Sequence, residues 1–174
     1  TSMSEKAIES WDKIACPICD GTTFRDLFTK NEEPFVECRQ CSLTMINPRP
    51  VYANILKGYT EDYSQGYINK KDKKIRRAKR RISKMKKIIP QGRWLDIGCS
   101  AGFILSVAKA ANYDTYGIEI DPLGIKHARE TLGLDNIFQG TFEEHQFDEN
   151  FFDIITLYDV IEHVQDLNEI VREL

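Results

Sequence analysis

Residues 94–102 read Trp-Leu-Asp-Ile-Gly-Cys-Ser-Ala-Gly, and an acid, Glu119, follows 17 positions after the second glycine. Trp94 to Ile97 is a short apolar run broken by one acid, Asp96. Gly98 and Gly102 come next, four apart, then an apolar stretch from Phe103 to Ala111. A second strand-like run, Thr115 to Ile120, carries Glu119 near its end. Strand, glycine turn, helix, strand and terminal acid make one half of a nucleoside-binding α/β unit.

The alternation continues. Strands are predicted at 93–98, 114–120, 136–139 and 152–158, and helices at 102–111, 122–132 and 166–174. A βαβα order implies a mostly parallel sheet covered by helices, with the ligand at the strand C-termini. The glycine spacing narrows that ligand. A dinucleotide turn needs G-x-G-x-x-G, but Ser100 and Phe103 stand at the third and sixth positions. No Gly-Lys-Ser/Thr follows, which excludes a P-loop. The remaining pattern, D-x-G-x-x-x-G, lets backbone approach an uncharged or zwitterionic cofactor closely.

Ahead of this unit lies a different composition. Cys16-Pro17-Ile18-Cys19 and Cys38-Arg39-Gln40-Cys41 are two C-x-x-C knuckles. Four soft ligands with no open position predict a closed tetrahedral Zn²⁺ site on Cys16, Cys19, Cys38 and Cys41, with Fe²⁺, free thiols or a disulfide in one knuckle as alternatives. Short strands are expected between the knuckles, at 24–29 and 35–37. So small a segment needs the metal for much of its folding energy. Paired knuckles and an odd cysteine count suggest a reducing, cytoplasmic setting, and no apolar run is long enough to span a bilayer.

The chain therefore divides into a zinc-ribbon domain at 1–50, a connector with a basic helix at 51–90, and an α/β domain at 91–174. In the connector, Asn47-Pro48-Arg49-Pro50 stops any strand. Tyr59, Tyr63 and Tyr67 recur every four residues, as a pocket lining or a packing seam, and Gly58 and Gly66 oppose a long regular helix. The net charge is −3, yet residues 70–87 hold twelve Lys or Arg and one acid, a local +11. Ile75, Ala78, Ile82, Met85 and Ile89 give this run an apolar stripe, and Pro90 and Gly92 should end it. A solvated helix covering one sheet face is preferred to a nucleic-acid surface, because no aromatic residue is interleaved for base stacking.

Residues 90–174 resemble the class I S-adenosylmethionine (SAM)-dependent methyltransferases. The resemblance runs through the glycine turn, Tyr116-Gly117-Ile118-Glu119-Ile120-Asp121, Gly140-Thr141-Phe142-Glu143, and Phe152 to His163. With the zinc knuckles in front, the chain is similar to a subgroup whose relatives include sugar C-methyltransferases acting on nucleotide-linked sugars. The resemblance implies a Rossmann-like α/β sheet of about seven strands, of which this chain carries four. It implies SAM binding by Asp96, Gly98, Cys99, Gly102, Glu119, Ile120, Thr141, Phe142 and Tyr158, with Glu119 on the ribose and Asp96 at the methionine end. A base, where needed, would be His163, with Tyr158, Asp159 and Glu162 secondary. The acceptor would be a small anionic metabolite, such as a nucleotide-sugar or glycan precursor. The alternative is a zinc-ribbon module binding RNA or another macromolecule, with a vestigial SAM fold. With strand four at an exposed apolar edge, a truncated chain or an edge-paired dimer is expected.

Overall fold

The computed structural model describes residues 11–51, 61–164 and 166–174, apart from the side chains of Glu61, Tyr63 and Glu173. The chain divides into two compact units, one of residues 1–58 with 164–172, the other of residues 59–163 with 173–174. Each is built on its own sheet.

The first unit contains β1 (Trp11–Asp12), β2 (Phe24–Lys30), β3 (Glu33–Cys38), β4 (Thr44–Ile46), β5 (Arg49–Pro50) and α5 (Leu167–Glu173). Strands β2, β3 and β4 form an antiparallel sheet in that order. The expected strands at 24–29 and 35–37 are therefore present, and β4 adds a third. The Asn-Pro-Arg-Pro segment ends β4, but it does not exclude pairing. Arg49 and Pro50 lie antiparallel to Asp12 and Trp11. At so short an edge the missing proline N–H costs little. Asn47 grips Ile14 at both ends of its backbone, accepting from the amide (3.1 Å) and donating to the carbonyl (2.9 Å). Arg49 donates to the Val164 carbonyl at 3.3 Å. Buried hydrophobic residues are few: Cys16, Val36, Cys38 and Ile170 among those described. Apolar burial on that scale leaves the small sheet dependent on a cross-link.

The second unit holds α1 (Glu61–Ile68), α2 (Lys71–Met85), β6 (Arg93–Ile97), α3 (Phe103–Ala110), β7 (Asp114–Glu119), α4 (Pro122–Lys126), β8 (Asn136–Gln139) and β9 (Ile154–Thr156). Helix α4 runs on as a π-turn over His127–Thr131, and a 3₁₀ turn spans Phe142–Glu144. All four strands are parallel, in the order β8-β7-β6-β9. The strands predicted at 93–98, 114–120 and 136–139 and the helix at 102–111 form to within a residue or so. The strand predicted at 152–158 shortens to Ile154–Thr156, the helix at 122–132 is α-helical only to Lys126, and the helix at 166–174 falls in the first unit. Glycine at position 66 does not prevent α1. Of the tyrosine stripe, Tyr59 and the Tyr63 side chain lie outside the described residues; Tyr67 stacks on Phe103, with ring centroids 6.1 Å apart. Helix α2 stops at Met85, before the expected Pro90, as its last turn tightens from Lys86 to Ile88.

Strand alternation sorts the core into two faces. Trp94, Ile137 and Ile154 point to one side, where Leu105, Ala108, Ile125 and Ala128 from the helices meet them. The basic helix packs here, with Ala78 and Ile82 buried and Met85 and Ile89 half-buried. Leu95, Ile97 and Ile118 face the other way. No helix covers that face among the described residues. Its cover is a set of aromatic side chains, Phe138, Phe142, Phe147 and Phe152 among them, packed largely edge to face. Strand β9 pairs on one side only among the described residues.

A buried polar chain crosses from β6 to β9. Asp96 and Thr156 are register partners. The Trp94 indole N–H donates to the Thr156 hydroxyl (2.9 Å), which donates to Asp96 Oδ1 (2.6 Å). All three residues are under 9% exposed. Thr156→Val removes the acceptor for a buried N–H and the donor for a buried carboxyl. A loss of about 2–4 kcal/mol is expected in urea unfolding. A change under about 0.5 kcal/mol, the usual bound for an inert site, would show the chain to be energetically idle.

Candidate functional site

The strand order reverses at β6, with β7 on one side and β9 on the other. In an open parallel sheet the crevice at such a reversal, beyond the strand C-termini, is where ligands bind. An open cleft lies there. Asp96, Gly98 and Cys99 line it from the end of β6, and Tyr158 and Asp159 from the segment after β9. Lys74, Arg77 and Arg81 of α2 form another wall, with Tyr67 and Phe103.

The glycine turn is shaped by its backbone. Gly98 has φ +70, and a Cβ there would sit 2.3 Å from Val160 Cγ2. Gly102 has φ +79, and its Cβ would fall 2.8 Å from Ala128 Cβ. Ser100 also takes a left-handed φ, +49, a strain of about 1–2 kcal/mol for a residue with a side chain. What holds it there is Glu119, only 6% exposed. Its carboxylate accepts from the amides of Ser100 (2.6 Å), Ile120 (2.7 Å) and Asp121 (2.9 Å). Burial pushes the Glu119 carboxyl up from its ordinary value, while these amides oppose the shift. A carboxylate offers about four acceptor positions, so roughly one remains. The next strand joins in, because Gly140 N–H donates to the Glu119 carbonyl at 3.0 Å.

Asp96 is 2% exposed, and among the described residues only the Thr156 hydroxyl hydrogen-bonds its side chain. Burial pushes its carboxyl up to about 7, against the Thr156 hydrogen bond and the charge of Arg81. The buried Cys99 thiol is raised by burial as well. Around the rim, Arg81 lies over the Tyr158 ring (3.6 Å), Lys74 over the Tyr67 ring (3.5 Å), and Arg77 faces Asp159 at 3.9 Å.

The other sequence-predicted residues lie nearby or apart. Ile120 is half-buried beside Glu119. Thr141 opens the 3₁₀ turn in a reciprocal capping box with Glu144, and Phe142 packs toward Phe147. These follow the ends of β7 and β8 and do not line the cleft. Nor does His163, whose amide closes a turn onto the Val160 carbonyl (2.8 Å). Sequence reading missed Thr156 and Trp94, although a polar residue at the end of an apolar strand was a usable signal. It also did not single out Arg81 as a residue of the cleft wall, hidden in a run of twelve cations.

In the first unit the four sulfurs of Cys16, Cys19, Cys38 and Cys41 all lie within 4.8 Å of one another. Cys16 and Cys41 are 3.5 Å apart, Cys19 and Cys38 3.6 Å. Tetrahedral Zn–S bonds of about 2.3 Å set sulfurs ~3.8 Å apart, so the cage has the dimensions of a four-thiolate metal site. The backbone amides of Cys41 and Gln40 lower the Cys38 thiol to about 7, while burial and the neighbouring sulfurs raise Cys19 to about 12.

Residues 95–174 match the family model described as a methyltransferase domain. No curated protein matches the chain. Among solved structures, a protein of Methanococcus maripaludis assigned as an S-adenosyl-L-methionine-dependent methyltransferase aligns with a TM-score of 0.55 at 16% identity. The alignment covers 63% of this chain and 55% of that one. A SAM-dependent methyltransferase of Thermotoga maritima aligns at 0.50 with 20% identity, over 70% of this chain and 54% of its own. Both are likenesses of fold, and the chain spans about half the length of each. Residues 95–174 thus match a methyltransferase-domain model in sequence, and the α/β unit shares a Rossmann-like fold with these structures. No helix among the described residues is long and apolar enough to cross a membrane.

The Asp96 carboxyl holds its proton more tightly folded than unfolded. Its burial therefore weakens the fold progressively as pH rises from about 4 to about 7, with the full deficit above that. Asp96→Asn should be more stable than the wild type at pH 8, by up to a few kcal/mol, and the gap should close toward pH 4. Thermal melts across that range are the measurement; a gap independent of pH would refute the assignment.

Proposed function

We propose that this protein transfers a methyl group from SAM to a small anionic acceptor, a nucleotide-linked sugar or another glycan precursor. The observation that carries the cofactor reading is the pair of buried acids, Asp96 and Glu119, at the ends of adjacent strands flanking a strained glycine turn. They lie within the segment that matches the methyltransferase domain. When bound, SAM supplies an electrophilic methyl group on a sulfonium. The residues fit it. Asp96, with one hydroxyl as its partner, keeps acceptor capacity for the ammonium of the methionine end. Glu119 has room for one hydrogen bond from the ribose. Gly98 and Gly102 let backbone come close, Cys99 and Tyr158 bound the methionine side, and Ile120, Thr141 and Phe142 edge the adenine.

Methyl transfer from a sulfonium depends mainly on in-line positioning. Where the acceptor nucleophile carries a proton, we assign its removal to Asp159, which stands in the cleft wall. Burial raises the Tyr158 phenol, which keeps it protonated, so it can donate a hydrogen bond but does not serve as a base. His163 lies outside the cleft lining and would need a rearrangement to serve. The anionic acceptor is favoured by Lys74, Arg77 and Arg81, three cations on one wall of the cleft. We assign Zn²⁺ to the four-cysteine cage as a structural metal. The five free cysteines fit a reducing, cytoplasmic setting.

Calorimetry with S-adenosylhomocysteine should show one site per chain. Glu119→Ala should weaken it at least about tenfold, since a charged acceptor and the turn it holds are both lost. An absence of binding by the wild type would end the methyltransferase reading. The metal assignment is checked separately. Purification without chelator should yield about one zinc per chain, and removing it should unfold the small sheet. Less than about half an equivalent would rule out a structural zinc.

A further inference from the structure

Helix α2 carries two stripes on opposite sides. Ala78 and Ile82 are buried against the sheet, with Ile75 and Met85 half-buried beside them. Opposite, Lys73, Arg76, Arg80 and Lys84 recur at intervals of three, four and four residues, so they follow one face for about 16 Å. All four are exposed. None lines the cleft, whose cations are Lys74, Arg77 and Arg81. Among the described residues, none of the four has an ion pair or a side-chain hydrogen bond. Lys87 follows in the tightened turn, and beside it Ile88 stands 75% exposed, the most exposed large hydrophobic side chain among the described residues.

Solvation alone does not account for this face. A helix that is merely wet gains from opposite charges at i and i+4, whereas Arg76 with Arg80 and Arg80 with Lys84 are like-charge pairs at that spacing, which oppose helix formation. Asp72 is the only acid in the run. The buried stripe holds the helix together against this repulsion and presents the cations as a rigid row. Charge complementarity calls for a polyanion, and two features narrow the choice. No aromatic side chain lies between residues 70 and 87 to stack on a base. Ile88 adds an apolar tip, which gains nothing from a row of phosphates but is buried favourably at the boundary between lipid headgroups and acyl chains. We propose that the outer face of α2 docks on an anionic lipid bilayer, the cation stripe lying along the headgroups and Ile88 inserting between them. A cluster of about four to eight Lys or Arg on a helix is a common reader of lipid charge. The assignment is independent of the SAM reading. Because Lys74, Arg77 and Arg81 occupy the arc between the two stripes, docking brings the cleft beside the bilayer.

The test is co-sedimentation of the full chain with vesicles of phosphatidylcholine alone, or of phosphatidylcholine and phosphatidylserine in equal parts. The wild type should bind the anionic vesicles and not the neutral ones, and raising NaCl from about 0.05 to about 0.5 M should release it. Lys73→Gln, Arg76→Gln, Arg80→Gln and Lys84→Gln together should weaken binding about a hundredfold or more, at the several-fold per cation typical near a charged leaflet. Ile88→Ser should weaken it about fivefold at unchanged charge. Thermal melts should show both variants folded, the quadruple one no less stable than the wild type, since it relieves like-charge pairs. Binding that is absent from both vesicles, equal on both, or retained by the quadruple variant overturns the assignment. A preference for a duplex RNA competitor at matched phosphate, unchanged in Ile88→Ser, also overturns it and assigns the face to nucleic acid.

Discussion

The Glu119 carboxylate organises the ligand-facing edge of the α/β unit. It is a buried anion satisfied by amides from two different loops, Ser100 after β6 and Ile120 and Asp121 after β7. An isolated charge at that depth would be prohibitive, and it persists because backbone donors surround it. In return it closes the glycine turn. Ser100 keeps a left-handed backbone, Gly98 fits under Val160, and Gly102 fits against Ala128. The carbonyl of the same residue takes the Gly140 amide and fixes the end of β8. One side chain and its own peptide therefore set the relative positions of three strand ends.

Asp96 occupies the neighbouring strand end under opposite terms. It has one hydroxyl in place of three amides, so burial meets less opposition and raises the carboxyl to about 7. The two acids sit at comparable depth, and their donors make the difference. A carboxylate that takes three amides shapes a loop; one that takes a single hydroxyl keeps more capacity for a ligand. The Trp94–Thr156 relay limits the cost by giving Asp96 a donor from β9.

What the sequence made legible is what local spacing controls. The glycine separation, the acid after the second strand and the cysteine knuckles each follow from short-range geometry, and all appear where they were read. The amphipathic stripe of α2 was equally readable, since Ala78 and Ile82 lie buried on the expected face. What escaped depends on register between distant segments. Thr156 meets Asp96 only because β9 pairs with β6 in one alignment. Arg81 differs from its eleven basic neighbours only through its rotation about the helix and the chance of Tyr158 opposite. Aromatic residues replace helices over the second sheet face because residues 140–153 form a compact loop, which no periodicity announces. His163 was favoured for its chemistry, and its distance from the cleft lining follows from the turn that Val160 begins.

The π-turn at His127–Thr131 accommodates one residue more than an α-helix would over the same rise. Within it Ala128 backs Gly102, and the His127 ring is hydrogen-bonded to the Ala101 carbonyl at 2.9 Å. Deleting one residue here would restore ordinary winding and rotate everything after it by about 100° around the axis. Either Ala128 would leave Gly102 or Leu134 would leave the core, because the two are anchored on opposite sides of the extra residue. The length of this helix is consequently as constrained as its sequence. Related chains should tolerate exchanges among its exposed residues far more readily than insertions or deletions.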